Sequence, residues 1–390
     1  MAKEIRYLSL ILGASLIVRC VYVLAYLDNT KMYWSDTVHY YAAATNLVEH
    51  GTFGRDPEQP DKPFGLEPVY PVFVAAVMWP FGKSLLAIRL SQCLVFTLSA
   101  VVIFRILTRL TSRVFALLGT AFYSFYPFYI YTSGCVLTEA IYPPVLVLYA
   151  FLCLEYLHTG RARYHILAAL VLGVAFHTRV SSITLIVPLL ALPFFRNGKL
   201  DLEFLKKGGV GIVVVLLLSV PWGLRNYRVY GRITIPRTFT GPGTQDVSVA
   251  TLLRQYTNRE TGAGSLGIAR SSFRNVCTLL SPVISAEEAA NPSSTKEQLS
   301  SRRVFQIISV FSAFPLLISG VCLPMYRRDG PMIFLYSLLV FYLLPYVFLT
   351  ARIRFRLPID FVMIIFLTVW LTHLYESTLR WRKFGQVAMR

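Results

Sequence analysis

Apolar residues run along this chain in long blocks, not in alternation. Blocks at about residues 7–27, 84–106, 114–131, 136–157, 164–176, 181–195, 208–222, 304–325, 331–349 and 359–375 hold few charges. Most approach the ~20 residues that an α-helix needs to cross a bilayer. The pattern therefore predicts an all-α polytopic membrane protein, a bundle of about ten transmembrane helices. A shorter apolar piece, 70–79, ends at Pro80-Phe81-Gly82 and reads as interfacial or re-entrant. Another short helix is predicted after the first span. Ser35 or Asp36 can cap its start, Gly51 can end it, and Tyr40, Tyr41, Ala44, Leu47 and Val48 recur at helical spacing. Too short and polar to span, it is expected to lie along the membrane interface.

Charge then orders the blocks. Lys3 and Arg6, Arg105/Arg109/Arg113, Arg161/Arg163, Arg196/Lys199/Lys206/Lys207, Arg327/Arg328 and Arg380/Arg382/Lys383 fall on one side if the chain turns at His177-Thr178-Arg179. The positive-inside rule thus predicts two short spans there and both termini cytoplasmic. The first block, interrupted by Arg19 and without a small-residue cleavage site, reads as a retained span. Three regions follow: an N-terminal transmembrane module (1–223) with a first outer loop (28–83), an extracytoplasmic loop region (224–303), and C-terminal helices with a cytoplasmic tail (304–390).

Composition agrees with that class. Of 390 residues, 55% are hydrophobic and 15% charged, and the mean hydropathy is +0.56. The net charge of +18 lies in short loops, not in a stripe, so it points to the bilayer and gives no sign of nucleic acid. No metal-ligand spacing appears among the six cysteines. Only Cys135 and Cys277 are placed to face outward, where a disulfide could join them.

Candidate chemistry falls on the outer side. Asp36, His39 and Tyr40 share the first-turn face of the interfacial helix. Glu67 and Tyr70 flank the next apolar piece, and Glu139 opens the fourth span. Arg225 and Arg228 follow the seventh span, and Arg179 sits between two short ones. Arg352, Arg354 and Arg356 occupy a short outer turn, where Pro358 favours extended geometry and i, i+2 spacing would align all three. An Arg triplet on the outer side runs against the topology rule, so a phosphate partner is the better explanation.

Taken together, several segments resemble one family. Asp36 shortly after span one, Tyr40-Tyr41, Gly51 and Pro68-x-Tyr70-Pro71 form the first. Leu137-Thr138-Glu139, Pro221-Trp222-x-x-Arg225-Asn226-Tyr227 and Arg354-Phe355-Arg356-x-Pro358 follow in order. This set is similar to the GT-C glycosyltransferases, in the bacterial branch related to protein O-mannosyltransferases and the lipid A aminoarabinose transferase.

The resemblance implies an enzyme of the bacterial inner membrane, acting on the periplasmic face. Its donor would be a polyprenyl-phosphate sugar and its acceptor a glycan, lipid or protein. Asp36 would be the base of an inverting displacement, with Glu139 as second carboxylate. Arg352, Arg354, Arg356, Arg225 and Arg228 would bind the donor phosphate, and His39, Tyr40, Glu67, Tyr70 and Arg179 the substrates. No cofactor is required, and the chemistry does not demand a divalent metal. Two other readings use the same cations: a transporter or flippase for lipid-linked sugars, and a polysaccharide polymerase or ligase.

Overall fold

A computed structural model describes residues 2–54, 66–198, 202–230, 264–280, 318, 320, 329–348 and 353–388. The predicted span at 304–325, the segments 231–263 and 281–317, and Arg352 lie almost wholly outside these residues. The described elements are helical. They are α1 (Ala2–Val21, continued by a π turn Tyr22–Tyr26), α2 (Ser35–His50), α3 (Val69–Phe81), α4 (Leu85–Leu110), α5 (Arg113–Ser124), α6 (Pro127–Gly134) and α7 (Tyr142–Thr159). Then follow α8 (Ala162–Thr178), α9 (Ile186–Asn197), α10 (Leu202–Tyr230), α11 (Gly264–Leu280), α12 (Gly330–Phe348), α13 (Ile353–Arg356) and α14 (Asp360–Ala388). Short 3-10 turns lie at Thr138–Ala140, Val180–Leu185 and Leu357–Ile359.

Among the described residues six helices are long and apolar enough to cross a membrane. The predicted span at 114–131 is not one straight helix but the pair α5 and α6, bent by 45°. Pro127 is the cause. It has no N–H to donate and forces Tyr126 into an extended conformation (φ −62°, ψ 119°). The chain also turns at Arg179 (φ −151°, ψ 118°), so 164–176 and 181–195 lie on separate helices, of which Val180–Asn197 is long and apolar enough to span and Ala162–Thr178 is shorter.

The bend in α5–α6 explains Arg19. A break leaves carbonyls without helical partners, and an apolar surrounding offers no water. Fully buried Arg19 donates to Tyr129 O (2.6 Å) and Ser124 O (3.0 Å), and lies 5.1 Å from the Phe96 ring centre. Its charge inside span one is thus absorbed by the neighbouring break. Arg19→Leu removes the charge-assisted bonds to Tyr129 O and Ser124 O, leaving Ser124 O, among the described residues, only the Ser15 hydroxyl (3.2 Å), at a cost of about 1.5–3 kcal/mol. A lowered unfolding midpoint of the purified protein would register it, and an unchanged midpoint would count against this role.

α7 is the central helix. Tyr142, Leu146, Val147, Tyr149, Ala150 and Cys153 are fully buried, and it packs on α4, α8 and α9. α5 approaches α14 closely at Gly119, where an added Cβ would lie 2.4 Å from Thr368 Oγ1. The bundle has two unlike ends. At one, Glu4 pairs with Arg113, Arg109 with Glu155 (3.1 Å), and Arg196 donates to Tyr156 O (3.1 Å). These are the basic loops of the topology pattern. The opposite end carries α2, the 3-10 turns at 138–140 and 180–185, and α13. Cys135 and Cys277 are both free, so the suggested disulfide is absent: Cys135 is buried and Cys277 exposed.

Candidate active site

α2 is an amphipathic helix held at both termini. Its C-terminus closes on Gly51 in the left-handed region (φ 67°), which a side chain would strain. Trp34 occupies the cap position and its side chain bonds nothing there, so Asp36, already inside the helix, is not the cap residue. Instead Thr37 Oγ1, buried, donates to Val136 O (3.0 Å). That bond seats the first turn of α2 on the connection between α6 and α7. Behind it, Arg89 of α4 donates to Asp28 O (3.0 Å), Asn29 Oδ1 (2.8 Å) and Lys31 O (2.8 Å). The segment that delivers Asp36 is therefore clamped.

Glu139 lies on the 3-10 turn of that same connection, just ahead of α7. The Pro143-Pro144 pair at the helix start keeps it out of the helix proper. Buried, it accepts from Arg179 Nη1 (3.0 Å) on Oε1 and from Thr138 Oγ1 (3.0 Å) on Oε2. Burial alone would raise its pKa, but Arg179 and then Arg354 hold it below the usual carboxylate range.

The two cations meet on one ring. Phe355 lies 5.2 Å from the Arg179 guanidinium and 5.4 Å from that of Arg354. Tyr346 stacks on Phe355 (4.9 Å, 22°), Tyr342 donates to Phe355 O (2.9 Å), and Tyr346 is bonded to Ser181 (2.6 Å). Arg354 Nη2 then faces Asp36 Oδ2 at 3.8 Å, longer than a hydrogen bond, with the Asp36 side chain 47% exposed. Asp36 is thus open to solvent in front of Arg354, with Arg179, held by Glu139, on the same ring behind it.

Glu67 completes the group. It is buried ahead of α3, with Arg179 and the Val180 backbone N–H beside it, and burial pushes its carboxyl up to about 7. Tyr40 stands among Glu67, Glu139, Arg179 and Asp36, and burial foremost raises its phenol. Among the described residues no three His, Cys, Asp or Glu side chains converge to hold a metal ion.

Other candidates stand elsewhere. Tyr70 is fully buried, donates to Gln92 Oε1 (2.7 Å), and supports Tyr40 edge-on (4.9 Å), so it belongs to the scaffold. Arg225, on a helix that runs past the predicted end of its span, donates to Phe53 O (2.8 Å) beside Trp222 (4.9 Å). It orders the first loop. Arg228 is exposed on the last turn of α10, and His39 is half-buried on α2.

The predicted extended Arg turn is a correction. Residues 353–356 are helical, and Arg356 is 1% exposed with its Nε on Asp360 Oδ1 (2.9 Å) and its Nη1 on Leu279 O (2.9 Å). Helical spacing turns it away from Arg354 and into the core. Asp360 and Tyr126, whose hydroxyl donates to Asp360 Oδ2 (2.9 Å), were not foreseen. The i, i+4 spacing of Arg356 and Asp360 was the available signal. Phe355 stood in the Arg354-Phe355-Arg356 stretch of the sequence pattern, whereas Tyr346 carried no signal beyond its aromatic character.

The family profile described as dolichyl-phosphate-mannose-protein mannosyltransferase matches residues 61–224. No curated protein matches the chain by sequence. Among solved structures, the apo oligosaccharyltransferase of Archaeoglobus fulgidus is similar at TM-score 0.60 and 13% identity, over 98% of this chain and 52% of that one. An archaeal oligosaccharyltransferase AglB from the same organism, in complex with an inhibitory peptide and a dolichol-phosphate, gives 0.53 and 12%, over 99% and 52%. ArnT from Cupriavidus metallidurans in the apo state gives 0.45 and 16%, over 93% and 76%. The chain thus spans about half the length (52%) of the archaeal enzymes it resembles. It is a polytopic membrane protein of the GT-C fold, and residues 61–224 carry the sequence pattern of the mannosyltransferase family.

Proposed function

We propose that this protein transfers a sugar from a polyprenyl-phosphate carrier to an acceptor hydroxyl at the outer membrane face. The observation that carries the reading is the half-exposed Asp36 carboxylate opposite Arg354, ahead of the buried Glu139–Arg179 pair. A glycosyl phosphate needs a base for the acceptor and cations for the leaving group, and nothing more elaborate.

In the proposed step, the acceptor oxygen attacks the anomeric carbon while Asp36 takes its proton. The bond from that carbon to the phosphate oxygen breaks, and the lipid phosphate leaves with the electron pair. The configuration inverts. Arg354 leaves Asp36 for the phosphate, and Arg179, held by Glu139, stands behind it. Glu139 acts through Arg179, because both of its oxygens are engaged. The AglB structure bound to a dolichol-phosphate supports a lipid-phosphate ligand in this fold. The basic end of the bundle supports an orientation with the site outside. The acceptor is a glycan, a lipid or a protein.

A flippase would place its charges through the bundle, near the midplane. The buried cation of span one, Arg19, is instead committed to backbone carbonyls, which favours transfer.

Arg354→Ala should weaken binding of a polyprenyl-phosphate sugar by about 1.5–3 kcal/mol, or roughly 10- to 100-fold. Arg354→Lys should recover part of this, since it restores the charge but not the planar fork. Donor titration of the protein in nanodiscs measures both, and equal affinity in the Ala variant would remove Arg354 from the phosphate site. The function itself is tested by mass spectrometry of copurifying lipids. A polyprenyl phosphate, with or without its sugar, is expected; bulk phospholipid alone argues against it.

A further inference from the structure

A phosphate site needs guanidinium N–H groups that are held in place and yet not spent. A carboxylate partner fixes a guanidinium but occupies the donors that the phosphate must use. An aromatic ring holds the same cation through its negative face and takes none of the N–H groups on the guanidinium edge. Arg179 is held by the first means, through Nη1 on Glu139 (3.0 Å). Arg354 differs. Among the described residues it makes no hydrogen bond to an acceptor: its Nη2 stands 3.8 Å from Asp36 Oδ2, and its buried Nε meets no partner. What it does have is the Phe355 ring, 5.4 Å from its own guanidinium and 5.2 Å from that of Arg179.

The ring is itself held on two sides. Tyr346 stacks on it (4.9 Å, 22°) and shares a hydrogen bond with Ser181 (2.6 Å), on the turn that follows Arg179. The fully buried Tyr342 donates its hydroxyl to Phe355 O (2.9 Å). Phe355 is therefore tied to the end of α12 and to the α8–α9 break, while its neighbour Arg354 reaches toward α2.

From this geometry, and resting on the transfer reading above, we propose that Phe355 is a positioning residue of the donor-phosphate site. Its ring holds both guanidiniums at one place and leaves the N–H edge of Arg354 for the phosphate. Without the attraction of the ring face, Arg354 can close on Asp36 or turn into solvent, and donor binding must then order it again. Phe355 acts through Arg354 and Arg179 and takes no part in bond making.

Phe355→Leu removes the ring face but also the Tyr346 stack, so the test adds a series that keeps the shape. Phe355 is replaced in the full-length protein by mono-, di- and trifluorophenylalanine, which weaken the negative ring face stepwise and barely change its volume. The Kd of a farnesyl-phosphate sugar is then measured in nanodiscs. It should rise with each added fluorine, to roughly 2- to 10-fold for the trifluoro ring, the cost of ordering one freed side chain on binding. Phe355→Leu should lose at least as much. In the Arg354→Ala background the fluorine series should become shallower, a change that a ring serving only as packing would not produce. One common Kd across the folded series, or a slope that Arg354→Ala leaves as it was, overturns the proposal. Wild-type binding with a flat series strikes Phe355 alone. If the wild type binds neither this donor nor farnesyl phosphate, the transfer reading fails and takes the proposal with it.

Discussion

Asp36→Asn is expected to lower the turnover of sugar transfer by about 10²- to 10⁴-fold, the range for losing a general base. Donor affinity should change little, because the Asn side chain is nearly isosteric and Arg354 remains in place. The reason lies in the local structure. Asp36 caps nothing, and its contact with Arg354 at 3.8 Å is loose and 47% exposed, so the carboxylate contributes little to folding. Thr37 on Val136 O and Arg89 on the preceding loop hold the first turn of α2 without it. Pre-steady-state transfer with donor bound beforehand separates the chemical step from binding. A variant with wild-type turnover would remove Asp36 from the role of base.

Asp360→Ala should have the largest effect on stability, about 3–5 kcal/mol. It leaves the Arg356 guanidinium charged and buried, with Leu279 O remaining on Nη1, and it takes the acceptor from the Tyr126 hydroxyl. Tyr126 is fully buried at the α5–α6 bend, so the damage should reach the turn that Arg19 also supports. The double variant Arg356→Met/Asp360→Leu removes both charges, and should recover most of the loss, since a buried pair replaced by apolar side chains is often neutral. Thermal unfolding in detergent distinguishes the cases. If the double variant is no more stable than Asp360→Ala, the pair does more than satisfy its own burial.

The fold was largely legible because bilayer spans are written in composition. Gly51 ended α2 as read, and the charge pattern separated the helices on either side of Arg179. The bend at Pro127 was equally open to reading from proline sterics, but the apolar block around it hid the break. The site was legible as a list of residues more than as contacts. Asp36 and Arg354 were both singled out, yet nothing local says that they face each other across the chain. The pairing of Glu139 with Arg179 links residues 40 positions apart through two helix breaks.

The Arg354–Arg356 segment misled because alternation fits a strand, whereas residues 353–359 are helical and Arg356 reaches Asp360 one turn on. Likewise Tyr70 sits in a motif-like stretch, but its hydroxyl is spent on Gln92. Residue type cannot reveal whether a polar atom is already engaged.

The central claim is that the sugar leaves its lipid at this site. The direct measurement uses proteoliposomes of the full-length protein, with a polyprenyl-phosphate sugar radiolabelled in the sugar and membrane extract as acceptor. Label should move from the lipid to the acceptor, free polyprenyl phosphate should accumulate in equal amount, and Asp36→Asn should abolish both. Label that crosses the bilayer while still attached to its lipid phosphate would contradict it.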